Sequence, residues 1–356
     1  ASDISKYQKG DGIHSVPLWR IGGFALNNTA TNFYLFMMGY VAYYLTGFVG
    51  VAVVTASSFS MVMRIWDGVT DPFIGFVVDK TNGKFGKNRP FMVIGQAILC
   101  VTSFILFHVT HLLPENTTVR FAFFIVVSML YYVGYTFQCV VTKSAQSCLT
   151  NDPKQRPLFA VFDATYNTLL FTIMGIVSSK LAVKYGTMYD AGLFHEMWVL
   201  VAVCSAIFTA IAVISIAPKD RSEFFGTGKP VLVTLKDYWD TLKHNRAIQM
   251  LVVAASTDKL AGSAKTSAVT IVMFGVVAGN YGLYGAINGF VTVPTVILTV
   301  VVISTLATTL GQRKGMIIGS IGGIAIPGFD PCYMGDMPGG IPAGDNAETL
   351  LFGRRF

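Results

Sequence analysis

Long apolar stretches alternate with short polar segments along most of the chain. Each stretch is close to the roughly 20 residues that a helix needs to cross a bilayer. The pattern therefore predicts a membrane protein with several spans. The complete predicted spans lie near residues 18–46, 51–78, 91–113, 119–149, 158–183, 197–217, 247–278 and 282–310. A further apolar run begins at 315 and stops at Pro327.

The composition supports this interpretation. Only 13% of the residues are charged, against about a quarter in a soluble domain. The formal net charge of +7 comes from positive residues in the connecting loops, as membrane topology produces, so we expect no nucleic-acid partner. The 5 cysteines form no CxxC pair, which argues against a zinc or redox motif and a disulfide framework. No short apolar core precedes a small-residue cleavage site, so we expect no signal peptide.

The loop charges predict the orientation. Positive residues concentrate in the connections near 80–90, 150–157 and 310–315, and the alternate connections hold few of them. Since cytoplasmic loops carry the excess of Lys and Arg, the N-terminus is predicted to be cytoplasmic. The positive residues of these three loops are Lys80, Lys84, Lys87, Arg89, Lys154, Arg156, Arg313 and Lys314.

The spacing of the spans predicts two bundles. Residues 1–217 hold six spans, residues 218–245 form a charged cytoplasmic loop, and residues 246–356 begin a second bundle. Transporters built from two related halves bind substrate at the midplane between them. The tail after Pro327 is rich in Gly and Pro. The second bundle is therefore short of helices, and we expect residues of the natural protein to be missing from this chain, because a half-built bundle would expose polar groups to lipid.

The second span carries three charged residues on one helix face. Arg64, Asp67 and Asp71 stand at i, i+3 and i+7 in the stretch RIWDGVTDP. Charges within a membrane are costly and are functional by default. Two carboxylates one turn apart repel each other, so the pair is suited to binding Na⁺, Li⁺ or H⁺. The alternative is that both acids pair with Arg64 and hold helices together.

The stretch RIWDGVTDPFIGFVVDKTNGKFGKNRPFMVIG resembles the signature of the glycoside–pentoside–hexuronide:cation symporters, within the major facilitator superfamily. The likeness is specific over 71–90, good in layout over 16–217, and only an outline beyond. It implies an all-α fold of two six-helix bundles. It also implies that the protein is a monomer in a bacterial inner membrane. Residues of the natural protein would then be missing between about 327 and 345 and after 356. The loop motif includes Arg64, Gly75, Asp79, Lys80 and Arg89.

The resemblance also implies roles for individual residues. Asp67 and Asp71 would be the cation ligands, with Thr70 standing where the family has an amide ligand. In the fourth span, Tyr135-Thr136 resembles a family pair whose threonine contributes to the cation site, so Thr136 takes that role. The coupling ion would be Na⁺ or H⁺, with no other cofactor.

The sugar site departs from the family pattern. The first span has no carboxylate and offers Asn28, Thr31 and Asn32 instead, and the fourth-span acid position falls on Cys139. Lys143 follows one turn later. A lysine beside amides suits a substrate with a carboxylate, such as a hexuronide. Alternatively, Lys143 neutralises a cavity acid and acts as an internal cation in place of Na⁺.

Three further charged residues are substrate candidates. Asp163 lies in the fifth span and either contacts substrate or pairs with Arg156 near the helix end. Asp258 and Lys265 lie seven residues apart in the seventh span, on one face. They line the cavity, form an ion-pair lock between the halves, or balance each other within the helix.

Cation-coupled symport of a sugar, glycoside or hexuronide by alternating access is the function that these features favour. No HExxH, GxSxG or GxxxxGK[ST] motif supports a membrane enzyme. A sugar sensor would need an output module, which the chain lacks. The remaining alternative is a major facilitator transporter of another small organic solute, proton-coupled or uncoupled.

Overall fold

The computed structural model describes residues 14–81, 85–152, 155–186, 190–220 and 243–250, together with a few isolated positions between 252 and 318. The described residues up to 220 form six long helices and two short ones, and one helix of each kind is continued by π or 3₁₀ turns. The helices are α1 (Leu18–Met38), α2 (Val41–Tyr44, continued by a π-turn over Leu45–Val49), α3 (Val53–Lys80), α4 (Arg89–Phe104, continued by a π-turn over Ile105–Val109 and a 3₁₀ turn over Thr110–Leu112), α5 (Thr117–Ser144), α6 (Gln146–Leu149), α7 (Arg156–Tyr185) and α8 (Ala191–Ile216).

The six predicted N-terminal spans correspond to α1–α2, α3, α4, α5–α6, α7 and α8. Four helical segments are apolar and long enough to cross a membrane: Arg89–Leu112, Thr117–Leu149, Arg156–Tyr185 and Ala191–Ile216. The sequences of α1 and α3 are more polar, because α1 carries amides and α3 carries Arg64, Asp67 and Asp71. The predicted all-α membrane fold is confirmed for this part of the chain, and the limits of the predicted domains remain predictions.

Helix α1 lies at the centre of the described bundle. It packs most extensively against α8 and α7 and also touches α5, while α4 packs on α5 and α8, and α3 on α5. Small residues permit two of these approaches. A Cβ at Gly23 would lie 2.2 Å from Ser215 Oγ in α8, and one at Gly134 would lie 2.7 Å from Ile98 of α4. Close backbone contact of this kind is how small residues join membrane helices.

A buried polar network joins α1, α4 and α8. The Gln96 side-chain amide donates to Tyr34 Oη at 3.1 Å and to Ser205 Oγ at 2.8 Å. Ser205 Oγ in turn donates to Tyr34 Oη at 3.0 Å. All three side chains are buried, and because buried polar groups are costly without partners, this network fixes the relative register of the three helices.

The end of α8 is tied to the beginning of α4 by one carboxylate. Asp220 is fully buried and accepts hydrogen bonds from the backbone N–H groups of Lys87, Asn88 and Arg89 at 2.9–3.1 Å. Asn88 Nδ2 donates at 3.1 Å and Arg89 Nε lies 3.4 Å away. Asp220 therefore caps α4 from a distant part of the chain. It and Lys219 pack at the end of the bundle, within the first residues of the predicted loop.

Gly86 gives our first prediction. Its φ is +96°, and a Cβ there would lie 2.2 Å from Asp220 Oδ2. Gly86→Ala combines a backbone penalty of about 1–2 kcal/mol with a clash at the cap, so we expect a loss of roughly 2–4 kcal/mol. Gly186 has φ +71° with open space around it, so Gly186→Ala isolates the backbone penalty. Equal shifts in thermal unfolding midpoint for the two variants would contradict the predicted clash.

Candidate functional site

The predicted cation ligands come together between α3 and α5. Thr136 is buried in α5, and its hydroxyl donates to Asp67 Oδ1 of α3 at 2.9 Å. The Asp71 carboxylate stands one turn further along α3, near the same hydroxyl. Asp67, Asp71 and Thr136 therefore form one group of hard oxygen atoms across two helices. Carboxylate and hydroxyl oxygens are suitable ligands for a small hard cation.

Arg64 lies on the other side of Asp67. Its Nη1 is 3.7 Å from Asp67 Oδ2, and its side chain is 52% exposed, compared with 14% for Asp67. The guanidinium also interacts with Tyr132 and with the Tyr135 hydroxyl of α5. Among the described residues, Asp71 has no ion pair. Pairing with Arg64 thus engages one of the two acids, and the other remains open to a cation.

Thr70 is engaged within its own helix. Its hydroxyl donates to the Asp67 backbone carbonyl at 3.0 Å. The proton of this hydroxyl is directed away from the two carboxylates, whereas that of Thr136 points at them. In the motif of the following loop, Arg89 contacts Asp220, and Lys80 lies over the ring of Phe76 in its own helix. A Cβ at Gly75 would meet nothing within 4 Å, and the side chain of Asp79 is outside the described residues.

A second polar group lies between α1 and α7. Asn32 Nδ2 donates to Asn167 Oδ1 at 2.8 Å, and the Asn28 side chain lies near the Asp163 carboxylate. Asp163 Oδ1 is buried and has no hydrogen-bond partner within the described structure. Because a buried carboxylate oxygen normally has a donor, this atom is available to a hydroxyl of a bound molecule.

Lys143 lies beside this second group. The charge of Lys143 acts on Asp163 and on Cys139, but within the described ranges it has no acid within ion-pair distance. The predicted pairing of Lys143 with Asp67 or Asp71 is therefore not observed, and Asp163 interacts with Asn28 and Lys143 instead of Arg156. Cys139 also interacts with Tyr135, whose hydroxyl interacts with Arg64 beside the first group. Cys139 therefore connects the group around Asp67 with the group around Asp163.

The structure separates the remaining substrate candidates. Thr31 is buried, and its hydroxyl donates to the Asn27 carbonyl at 3.0 Å within α1, so it does not join the group around Asp163. Asp258 and Lys265 lie outside the described residues. The role of Asp220 could not be predicted from the sequence, because a single acid after an apolar run does not indicate which helix it caps.

Thr136 gives a second prediction. Thr136→Val removes the hydroxyl but keeps the branched shape, so Asp67 loses its donor and the cation loses one oxygen ligand. We expect about 10-fold weaker cation binding, at the low end of what a lost supporting contact costs a metal site. Thr136→Ser keeps the oxygen and is expected to stay within about threefold. Isothermal titration of the purified protein with NaCl checks both, and equal affinity in the two variants would remove Thr136 from the site.

The fold and this site define a class: a bundle of membrane helices with acids, amides and a lysine facing one another inside it, as in polytopic membrane transporters. The family model described as "MFS/sugar transport protein" matches residues 23–335, and the chain belongs to this family. This match confirms the predicted major facilitator class and the resemblance to its sugar symporters.

Curated relatives agree with the family. The chain is 23% identical to a glucuronide carrier protein homolog of Escherichia coli (strain K12) over 85% of its own length, and 25% identical to the uncharacterized symporter YjmB of Bacillus subtilis (strain 168) over 81%. It is 23% identical over 79% to an isoprimeverose transporter of Lactiplantibacillus pentosus. The chain spans 65%, 61% and 57% of the lengths of these three relatives.

Proposed function

We propose that this protein is a secondary active transporter that couples the uptake of a sugar, glycoside or hexuronide to Na⁺ or H⁺. The observation that carries the proposal is the group formed by Asp67, Asp71 and Thr136, in which two carboxylates one helical turn apart lie beside a buried hydroxyl that donates to Asp67. Names of the relatives, which include a raffinose carrier protein and a lactose permease, support a sugar as the substrate.

The two groups suggest how coupling works. A cation bound by Asp67 and Asp71 neutralises their repulsion and orders α3 against α5. Cys139 and Tyr135 then connect this site to Lys143 and the second group, where substrate would bind. Substrate must tighten cation binding by the factor by which the cation tightens substrate binding. The loaded carrier alternates between outward- and inward-facing states by movement of one half against the other.

The substrate class follows from the second group. Asp163 accepts from sugar hydroxyls, Asn28 and Asn32 offer both donors and acceptors, and Lys143 supplies a positive charge. This set can hold a sugar that carries a carboxylate, which Lys143 would pair with, and an uncharged glycoside would use only the amides and Asp163. We favour the hexuronide because Lys143 has no acid within ion-pair distance among the described residues.

Lys143→Met tests this preference as a third prediction. It removes the charge and keeps most of the apolar stem, so uptake of a labelled glucuronide is expected to fall about 10-fold or more, as when a buried charge contact of about 1.5–3 kcal/mol is lost. Uptake of the matching uncharged glycoside is expected to change by less than about threefold. Lys180→Met, on the outer part of α7, is the control. Equal losses for both sugars would assign Lys143 a structural role.

The major facilitator class predicts the location and the oligomeric state of the protein. The protein is a multi-pass membrane protein, and the loop charges support an N-terminus on the cytoplasmic side of a bacterial inner membrane. We propose that it acts as a monomer in the bilayer with no organic cofactor.

Uptake by proteoliposomes tests the proposed function. The purified protein would be supplied with a labelled glucuronide or glycoside, with and without an inward Na⁺ or H⁺ gradient. Accumulation above equilibrium, only with a gradient, is expected. Equilibration without accumulation would instead support the alternative of an uncoupled transporter, and uptake of neither sugar would point to another small organic solute.

A further inference from the structure

A positively charged site lies at the end of the bundle where α1 begins and α8 ends. The two helices are in contact at Gly23 and Ser215, where a Cβ on Gly23 would lie 2.2 Å from the serine hydroxyl. One turn beyond this contact stand Arg20 on α1 and Lys219 after α8. Because the helices run in opposite directions, both residues lie on the same side of the Gly23–Ser215 contact and extend toward the same end of the bundle.

The Arg20 guanidinium has unused donors. Its Nε and Nη1 are covered and have no hydrogen-bond partner in the described structure. The Trp19 ring lies 4.9 Å from the guanidinium carbon, and the Arg20 side chain as a whole is partly exposed. A guanidinium presents a planar fork of donors that matches the oxygens of a phosphate. An anion such as phosphate would therefore satisfy these donors.

A second basic residue, Lys219, is the charged neighbour of Arg20 among the described residues. Lys219 is 1% exposed, and its burial together with the charge of Arg20 lowers its pKa to about 8. The adjacent Asp220 carboxylate is occupied by the N–H groups that begin α4. Helix α1 also starts at Pro17 without a side-chain cap, so the positive end of its dipole points the same way.

The surface around the site is apolar. Leu18 and Trp19 are each 58% exposed at the first turn of α1, where the first span predicted from the sequence begins. Trp is enriched at the interface between membrane and water, and basic pockets between membrane helices on the cytoplasmic side bind phosphate head groups. A phosphate that reaches Arg20 here would come from a lipid whose chains lie along Leu18 and Trp19.

We propose that Arg20, supported by Lys219 and the uncapped start of α1, binds the head-group phosphate of an anionic phospholipid. This site is separate from the group around Asp67 and Asp71 and does not depend on the transported substrate. Its ligand is a structural lipid that holds the α1–α8 contact at the membrane surface.

Native mass spectrometry of the purified protein with equal amounts of phosphatidylglycerol and phosphatidylcholine tests the proposal. We expect phosphatidylglycerol to be retained preferentially. Arg20→Gln should weaken this binding about fivefold, as one lost cation near a lipid surface costs about 1 kcal/mol. Arg156→Gln, an exposed arginine at the first turn of α7, is the matched control and should leave the binding unchanged.

Three results would overturn the proposal. The two lipids could bind equally to the unsubstituted protein, which would mean that the site does not select an anionic head group. Arg156→Gln could weaken binding as much as Arg20→Gln, which would mean attraction to general positive charge. Inorganic phosphate at about millimolar concentration, comparable to weak anion binding, could displace the lipid, which would identify a site for a free anion.

Discussion

Asp67→Asn and Asp71→Asn are each expected to abolish accumulation of substrate driven by a cation gradient. Each substitution keeps the side-chain size and an oxygen but removes the negative charge that holds a cation. Loss of one charged ligand from a site with so few oxygens should weaken cation binding by on the order of 100-fold or more. The measurement is uptake of labelled sugar in proteoliposomes with an inward gradient, together with exchange of sugar at equilibrium without one.

The pattern of losses separates coupling from structure. If the acids bind the coupling ion, accumulation is lost in both variants while thermal stability stays close to that of the unsubstituted protein. Arg64→Gln is the informative control, because Arg64 lies 3.7 Å from Asp67 and is itself half exposed. Should accumulation persist in both Asn variants, the two carboxylates would be structural and the coupling site would lie elsewhere.

Asp220→Ala is expected to destabilise the protein more than the loss of any local helix cap in the described bundle. It removes the acceptor of three backbone N–H groups, of Asn88 Nδ2 and of Arg89, all at a buried position. Removing one partner of a buried charge pair costs about 3–5 kcal/mol. Asp220→Asn keeps one acceptor oxygen, so its loss should be smaller, at about 1–3 kcal/mol.

Asp190→Ala is the matched comparison. Asp190 caps α8 locally and accepts from one backbone N–H, that of Gly192, at 2.7 Å. Loss of a local cap costs about 0.5–2 kcal/mol. In thermal unfolding of the three variants in detergent, the unfolding midpoint of Asp220→Ala should therefore be well below that of Asp190→Ala. A loss at Asp220 no larger than that at Asp190 would show that the distant cap adds nothing beyond an ordinary one.

The helices could be predicted from the sequence because each depends on a local pattern. Apolar stretches of bilayer length fixed all six described spans to within a few residues at most ends, and a period of 3.6 residues placed Arg64, Asp67 and Asp71 on one face of α3. Local breaks were harder to foresee. The turns that interrupt the first span at Gly39 and lengthen α4 beyond Phe104 do not differ in composition from the helices beside them.

The candidate site was predicted only in part. The two acids of α3 stand out in any sequence, since charges within a span are costly. A place for Thr136 in this site was expected from the resemblance to a family and not from the residues alone, and its hydrogen bond to Asp67 was not predicted. Thr31 shows the limit: its polarity made it a substrate candidate, but its hydroxyl is used within α1.

The sequence by itself determined that this is a helical membrane protein of the major facilitator type with an acid pair in its second span. The helices and the acid pair follow from hydrophobicity and charge spacing, which act within one helix. The facilitator type was indicated by the resemblance of the stretch over residues 64–95 to a known family. Only the tertiary structure decided that Lys143 acts on Asp163 and does not pair with Asp67, and that Asp220 reaches back to cap α4. Both contacts join distant helices. Their partners depend on packing angles and helix rotation, which a local sequence pattern does not determine.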